Sequence, residues 1–115
     1  MPGPRTVSVI VRLADEAPPG ATLRVRLEDV SRLDAPSATA AEEELRLLAG
    51  ATAGTEFPLL LALADLDETA RYSVRAHVDV SGSGEIEPGD LLTTAAHPVL
   101  THGHPDHVAV DAVRV

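Results

Sequence analysis

The sequence Tyr72-Ser73-Val74-Arg75-Ala76-His77-Val78-Asp79-Val80 decides the fold class. Apolar residues occupy every second position from Tyr72 to Val80, and polar residues stand between them. A period of two is typical of a β-strand that buries one face and exposes the other. We therefore predict a strand here, with one face in the protein core.

The same alternation recurs along the chain, and turn residues separate the segments. Pro18-Pro19-Gly20, Ser81-Gly82-Ser83-Gly84 and Glu87-Pro88-Gly89-Asp90 are typical of turns. Because no βαβ unit interrupts these short segments, they predict an all-β fold: a single immunoglobulin-like or transthyretin-like β-sandwich of about seven antiparallel strands, spanning residues 1–115. Besides 72–80, the predicted strands are 7–13, 23–28, 57–63, 91–96 and 108–112.

The segment from Ser37 to Gly50 supports two interpretations. Thr39-Ala40-Ala41-Glu42 has the form of a helix capping box, and Gly50 has that of a helix C-cap. Against a helix, residues 42–47 alternate as in a charged edge strand, which resists pairing between sheets. We predict a strand, and a three-turn helix is the alternative.

Tyr72 follows Leu66 and a short polar turn and opens the most regular strand. This arrangement resembles the tyrosine corner of immunoglobulin-like sandwiches, in which the hydroxyl group returns to backbone a few residues upstream. We predict that Tyr72 is buried, is hydrogen-bonded to nearby backbone and is structural rather than catalytic.

The charge balance argues against several partners. Asp and Glu total 18 against 9 basic residues, a formal net charge of -9, which repels phosphate backbones and anionic membrane surfaces. The only aromatic residues, Phe57 and Tyr72, are too few to stack a series of bases. No apolar run approaches the roughly eighteen residues of a membrane span. We expect no nucleic-acid partner and no membrane insertion.

The absence of cysteine excludes disulfides, a thiolate nucleophile and a lipid-accepting thiol in this sequence. The first residues lead directly into the alternating strand at Val7, without the basic and uninterrupted apolar regions of a signal peptide. We therefore expect a cytoplasmic location for the sequence as given, and an envelope-associated one if a leader was removed.

Four segments of the sequence are similar to one family of small bacterial proteins. They are residues 18–31 (PPGATLRVRLEDVS), 34–36 (DAP), 71–76 (RYSVRA) and 97–101 (HPVLT). The chain resembles, over nearly its whole length, the YbaY/YscW family of β-sandwich lipoproteins, which includes secretin-piloting chaperones of type III secretion. The resemblance implies a β-sandwich fold and a chaperone-like accessory role without catalysis.

The loop from Thr101 to His107 raises an alternative. His102, His104, Asp106 and His107 match the THxHxDH signature of metallo-β-lactamases, whose zinc ions activate water. That fold is much larger and needs further ligands downstream, whereas here the remaining residues read as the last strand. We interpret the loop as a polar surface connection, with a metal-dependent hydrolase or metal-binding protein as the alternative.

No other pattern in the sequence assigns a catalytic, cofactor-binding or metal-binding residue, and paired acidic residues read most simply as solvated faces. We predict a non-enzymatic binding or accessory module with no cofactor; a purely structural subunit is not distinguished from it. If a protein partner binds, we expect it to add a strand along the edge formed by Ala40 to Leu48. Glu42, Glu43 and Glu44 would discourage self-association there and favour a basic or neutral partner strand.

Overall fold

The computed structural model describes residues 3–32 and 34–115. This part of the chain forms eight β-strands and contains no helix that could cross a membrane. The strands are β1 (Arg5–Leu13), β2 (Ala21–Asp29), β3 (Ala38–Leu47), β4 (Glu56–Leu63), β5 (Tyr72–Asp79), β6 (Leu91–Leu92), β7 (Pro98–Val99) and β8 (His107–Arg114).

The strands follow one another in a sheet that nearly closes into a barrel. Hydrogen-bonded neighbours have the order β3-β2-β5-β6-β8-β1-β4, and β7 pairs with β5 beside this path. β8 connects the two halves, since it pairs antiparallel with β6 and parallel with β1. The two end strands, β3 and β4, lie beside each other, but no β-ladder joins them in the described part of the chain.

The core consists of the inward faces of these strands. Alternate residues of β1, β2 and β5 are buried, as their sequence period requires. Each large apolar side chain removed from water contributes roughly 1.5–3 kcal/mol, and this burial is the main force that keeps the sheet curved around its core. The largest fully buried side chains are Leu13, Leu23, Leu27, Leu61, Leu91, Val7, Val9, Val11, Val25, Val74, Val78 and Val99.

The all-β class is confirmed, and the eight strands agree with the expected number of about seven. One detail of the predicted sandwich is wrong, because the β1–β8 pair is parallel and the strands are therefore not all antiparallel. The immunoglobulin-like or transthyretin-like detail is not confirmed. The predicted strand at 91–96 is shorter, because the chain leaves the ladder after Leu92 and returns as β7 at Pro98.

The strand prediction for residues 37–50 is confirmed, since β3 pairs with β2 from Ala38 to Leu47 with one bulge at Ala40. Tertiary pairing therefore outweighs the helix signals of the capping box. Gly50 ends the β3 turn with a φ of 69°. A Cβ atom there would lie 2.6 Å from the carbonyl oxygen of Ala17, so this turn requires glycine.

The predicted tyrosine corner is present. Tyr72 is 5% exposed, and its hydroxyl oxygen accepts a hydrogen bond from the backbone N–H of Asp67 at 3.1 Å. Thr101 strengthens the same corner, because its hydroxyl donates to the carbonyl oxygen of Ala70 at 2.6 Å. The corner thus joins the start of β5 to the loop that precedes β8.

Replacing Tyr72 with Phe keeps the ring and removes the hydroxyl acceptor. The backbone N–H of Asp67 then loses its partner, so the free energy of unfolding should fall by about 1 kcal/mol. Urea denaturation monitored by circular dichroism measures this loss. An unchanged midpoint would show that the hydrogen bond does not stabilise the corner.

Candidate binding surfaces

The most unusual surface is the gap between β3 and β4, which we call the seam. Both strands are paired on one side only, β3 with β2 and β4 with β1. Their other edges face each other without a ladder between them in residues 3–32 and 34–115. The seam therefore presents two sets of backbone donors and acceptors that another strand could pair with.

The inward face of β3 is incompletely covered at the seam. The register places Leu45 opposite Leu23 and Glu43 opposite Val25, so both side chains point to the core side of the sheet. Nevertheless Glu43 is exposed and Leu45 is 38% exposed. An inward-pointing charge on an edge strand is a known device against uncontrolled strand pairing.

The facing strand β4 presents apolar residues to the same gap. Phe57 and Leu59 lie opposite Val11 and Val9 of β1, and so on the inward face, yet they are only partly buried. Together with Leu45 they leave an apolar strip along the seam. The seam thus combines free backbone edges, apolar surface and one negative charge.

Two of the three glutamates expected to guard the edge of β3 instead form ion pairs with β2 on the outer face of the sheet. Arg26 Nε donates to Glu42 Oε2 at 2.9 Å, and Arg24 Nε donates to Glu44 Oε1 at 2.9 Å. These two glutamates therefore hold β3 against β2. Of the three glutamates predicted to guard the edge, only Glu43 faces the seam.

A small apolar cleft lies next to the tyrosine corner. Its volume is about 250 Å³, and its walls are mainly apolar parts of Val30, Tyr72, Ala96 and Pro98. Arg71, His102 and His104 also line it. The cleft is large enough for one apolar side chain of a partner.

The histidine-rich loop does not gather its side chains around one point. His102, His104, Asp106 and His107 are all exposed. His102 Nε2 lies 3.3 Å from the carbonyl oxygen of Thr69, and His107 Nδ1 lies 3.4 Å from Asp106 Oδ1. His102 and Gly103 have positive φ angles, as in a tight surface turn, and His102 and His107 contact different groups.

A polar cluster that the sequence interpretation missed lies between β5 and β6. Among residues 3–32 and 34–115, the one group of three or more potential metal-ligating side chains is His77, Asp79 and Asp90, whose ligand atoms lie within 4.8 Å of one another. Both carboxylates are 1% exposed. The turn residues of this region predict two turns, although the regular spacing of its oxygen-bearing residues is visible in the sequence.

Hydrogen bonds organise the long loop around these carboxylates. Asp79 accepts from the N–H groups of Gly82 and Gly84 at 2.9 Å each, and from Arg24 at 2.8 Å. Asp90 accepts from the N–H of Val80 at 3.0 Å, and its Oδ2 lies 2.8 Å from His77 Nε2. The carboxylates therefore fix the loop to the end of the sheet.

These contacts lower the pKa of both carboxyl groups. Burial alone would raise the pKa of Asp79, but the hydrogen bonds from Arg24, Gly84 and Gly82 outweigh it and lower the pKa to about 2. For Asp90 burial acts in the same way, and the contacts with His77 and backbone N–H groups bring the pKa below its ordinary value. Both groups are ionised at neutral pH.

Asp79 should make the protein acid-sensitive in a defined range. Because its folded-state pKa of about 2 lies below the unfolded value of 3.8, its contribution is complete above about pH 4 and is lost as the pH falls toward 2. We expect Asp79→Asn to lose on the order of 2 kcal/mol near neutral pH, with a difference from wild type that shrinks between pH 4 and 2. Urea titrations at several pH values measure it.

The exposed Asp111→Asn is the matched control and should follow the wild type throughout, because the Asp111 carboxylate is 65% exposed and its ion pair with Arg12 spans 3.8 Å. A pH-independent difference between wild type and Asp79→Asn would contradict the proposed ionic role.

Comparisons with known proteins agree with the all-β fold. The structure of an alternative pilotin from the type II secretion system of Vibrio cholerae is similar, with a TM-score of 0.77 and 26% sequence identity over 97% of each chain. No curated protein matches. The family model described as "Type III secretion system lipoprotein chaperone (YscW)" matches residues 4–111. Since that match covers almost the whole chain, the protein belongs to the YscW family of type III secretion system lipoprotein chaperones.

Proposed function

We propose that this protein is a pilotin-like chaperone, which binds a protein of a secretion system without catalysing a reaction. Membership of the YscW family and likeness to a type II secretion pilotin support the chaperone-like accessory role. A secretin subunit is the partner that this relationship favours. The histidine loop, with its exposed and separated side chains, offers no support for a hydrolase.

The observation that carries the proposal is the unpaired seam between β3 and β4. An extended segment of the partner would pair with the free edge of β3, which covers the predicted edge region Ala40–Leu48 except for Leu48 in the following turn. Its apolar side chains would cover Leu45, Phe57 and Leu59, which the isolated chain leaves partly exposed. Binding would thereby complete the sheet.

The charge of the seam defines the partner segment further. Among the three glutamates of β3, Glu43 is the one whose side chain faces inward. Unlike Glu42 and Glu44, it has no basic neighbour among the described hydrogen bonds and ion pairs. A basic or neutral partner strand would relieve this charge, whereas a second copy of the acidic edge would be repelled. The same residue can therefore prevent self-association and select the partner.

The location that we propose is the bacterial envelope. The family is described as lipoproteins, and the expected cytoplasmic location is not supported by this relationship. A chaperone of this class would meet its partner where secretion-system proteins assemble.

Proline on the free edge of β3 should abolish partner binding. In an antiparallel pair, neighbouring residues direct their N–H groups to opposite sides, so one of Glu44→Pro and Leu45→Pro removes a free-edge donor and spares the β2 ladder. The folded variant of the two, identified by its circular dichroism spectrum, should bind a secretin subunit of the same bacterium at least about tenfold more weakly, a loss of roughly 1.4 kcal/mol. Surface plasmon resonance measures the dissociation constant.

Two further variants make the result specific. Glu42→Gln changes the outer face of the same strand and should bind like the wild type. Ala96→Arg fills the apolar cleft beside Tyr72, and it should also bind normally. Wild-type affinity of the folded proline variant would refute the seam, and a loss confined to Ala96→Arg would place the partner in the cleft.

A further inference from the structure

The loop between β5 and β6 has the ligand spacing of a twelve-residue calcium loop. Such loops place oxygen ligands at positions 1, 3, 5, 7, 9 and 12 and a glycine at position 6, and position 7 uses its backbone carbonyl. Counted from Asp79, these positions are occupied by Asp79, Ser81, Ser83, Glu85, Glu87 and Asp90, with Gly84 at position 6.

The structure brings the central oxygen atoms of this series together. Ser81 Oγ lies 3.2 Å from Ser83 Oγ and 2.5 Å from Glu87 Oε2. Ser83 Oγ lies 3.2 Å from the carbonyl oxygen of Glu85. Oxygen ligands held 2.3–2.6 Å from one Ca²⁺ ion are themselves roughly 3 Å apart. The three contacts above are hydrogen bonds, and they hold these oxygen atoms near that spacing.

The fold supplies a second observation, which does not depend on that spacing. Val78 pairs with Leu91 at the neck of the loop, so the next residues, Asp79 and Asp90, are brought together across it. Their carboxylates are 1% exposed, and with His77 their ligand atoms lie within 4.8 Å of one another. Two buried carboxylates at such a distance repel each other unless positive charge lies beside them.

The positive groups at the neck face more carboxylates than Asp79 and Asp90 alone. Among the described ion pairs, Arg24 contacts Asp79 and also pairs with Glu44, and His77 contacts Asp90. The loop adds Glu85 and Glu87 and contains no basic residue. A divalent cation would neutralise the excess, and Arg24 would keep Glu44 as its partner if the ion displaced it from Asp79.

From these observations we infer that residues 79–90 form a Ca²⁺-binding site. Asp79, Ser81, Ser83, Glu87 and Asp90 would contribute side-chain oxygens, and Glu85 would contribute its carbonyl oxygen. Two ligands are neutral hydroxyl groups and position 12 is Asp rather than Glu, so the affinity belongs with extracellular modules, at about 10⁻⁴–10⁻³ M. Because the strands β5 and β6 flank the loop, the ion would stabilise a hairpin rather than orient helices.

Calcium titration of the full chain after EGTA treatment and dialysis tests this site. Isothermal titration calorimetry with CaCl₂ should show one ion per chain, and 10 mM Ca²⁺ should raise the melting temperature by at least about 4 °C. The same concentration of Mg²⁺ should raise it much less, because Mg²⁺ requires near-ideal octahedral geometry at shorter distances.

Matched variants separate coordination from diffuse charge. Glu87→Gln and Ser83→Ala each remove one side-chain ligand outside the buried neck and should weaken Ca²⁺ binding at least about tenfold. Glu85→Gln removes the same charge from the same loop but keeps the carbonyl ligand, so its affinity should remain within about threefold of wild type. Melting temperatures without Ca²⁺ verify that each variant folds.

Three results would overturn the inference. The first is a melting temperature that 10 mM Ca²⁺ leaves within 1 °C of the EGTA value, and the second is an equal rise with Mg²⁺. The third is an equal loss of affinity in Glu85→Gln and Glu87→Gln, which would show non-specific attraction by the acidic loop.

Discussion

β8 lies between β6 and β1, and this double pairing is the constraint on which the fold depends. The first half of the path, β3-β2-β5-β6, and the second half, β1-β4, share no other ladder in the described part of the chain. Val110 and Ala112 of β8 are buried at this junction, so apolar packing and backbone pairing act together there. The end strands β3 and β4 consequently come to lie beside each other.

The unpaired seam follows from this arrangement, and it links the fold to the proposed activity. A closed barrel would have no free strand edges, whereas this sheet stops one pairing short of closure. A further strand at the seam would explain why inward-facing side chains are left uncovered there. These side chains are Glu43, Leu45, Phe57 and Leu59. The acidic loop at residues 79–90 begins at the C-terminal end of β5. It is a separate feature and does not depend on the partner.

Alternation in the sequence was sufficient to predict the buried faces of the long strands, the strand at 37–50 and the tyrosine corner of Tyr72, because each depends on local periodicity or nearby backbone. The parallel β1–β8 pairing could not be predicted, since it joins opposite ends of the chain and both strands would alternate equally in an antiparallel pair. Nor could the ion pairs of Glu42 and Glu44, which depend on the register with β2. The calcium-loop spacing of residues 79–90 is visible in the sequence, but the Ser, Gly and Pro residues of the same segment are equally typical of turns.

Amide hydrogen exchange of the free protein, followed residue by residue by NMR, tests the open seam most directly. If β3 and β4 are unpaired along their facing edges, alternate amides of both strands should exchange rapidly, while those of β1, β2 and β5 remain protected. Continuous protection along both β3 and β4, at the level of the central strands, would show instead that the barrel is closed and that no edge is available to a partner.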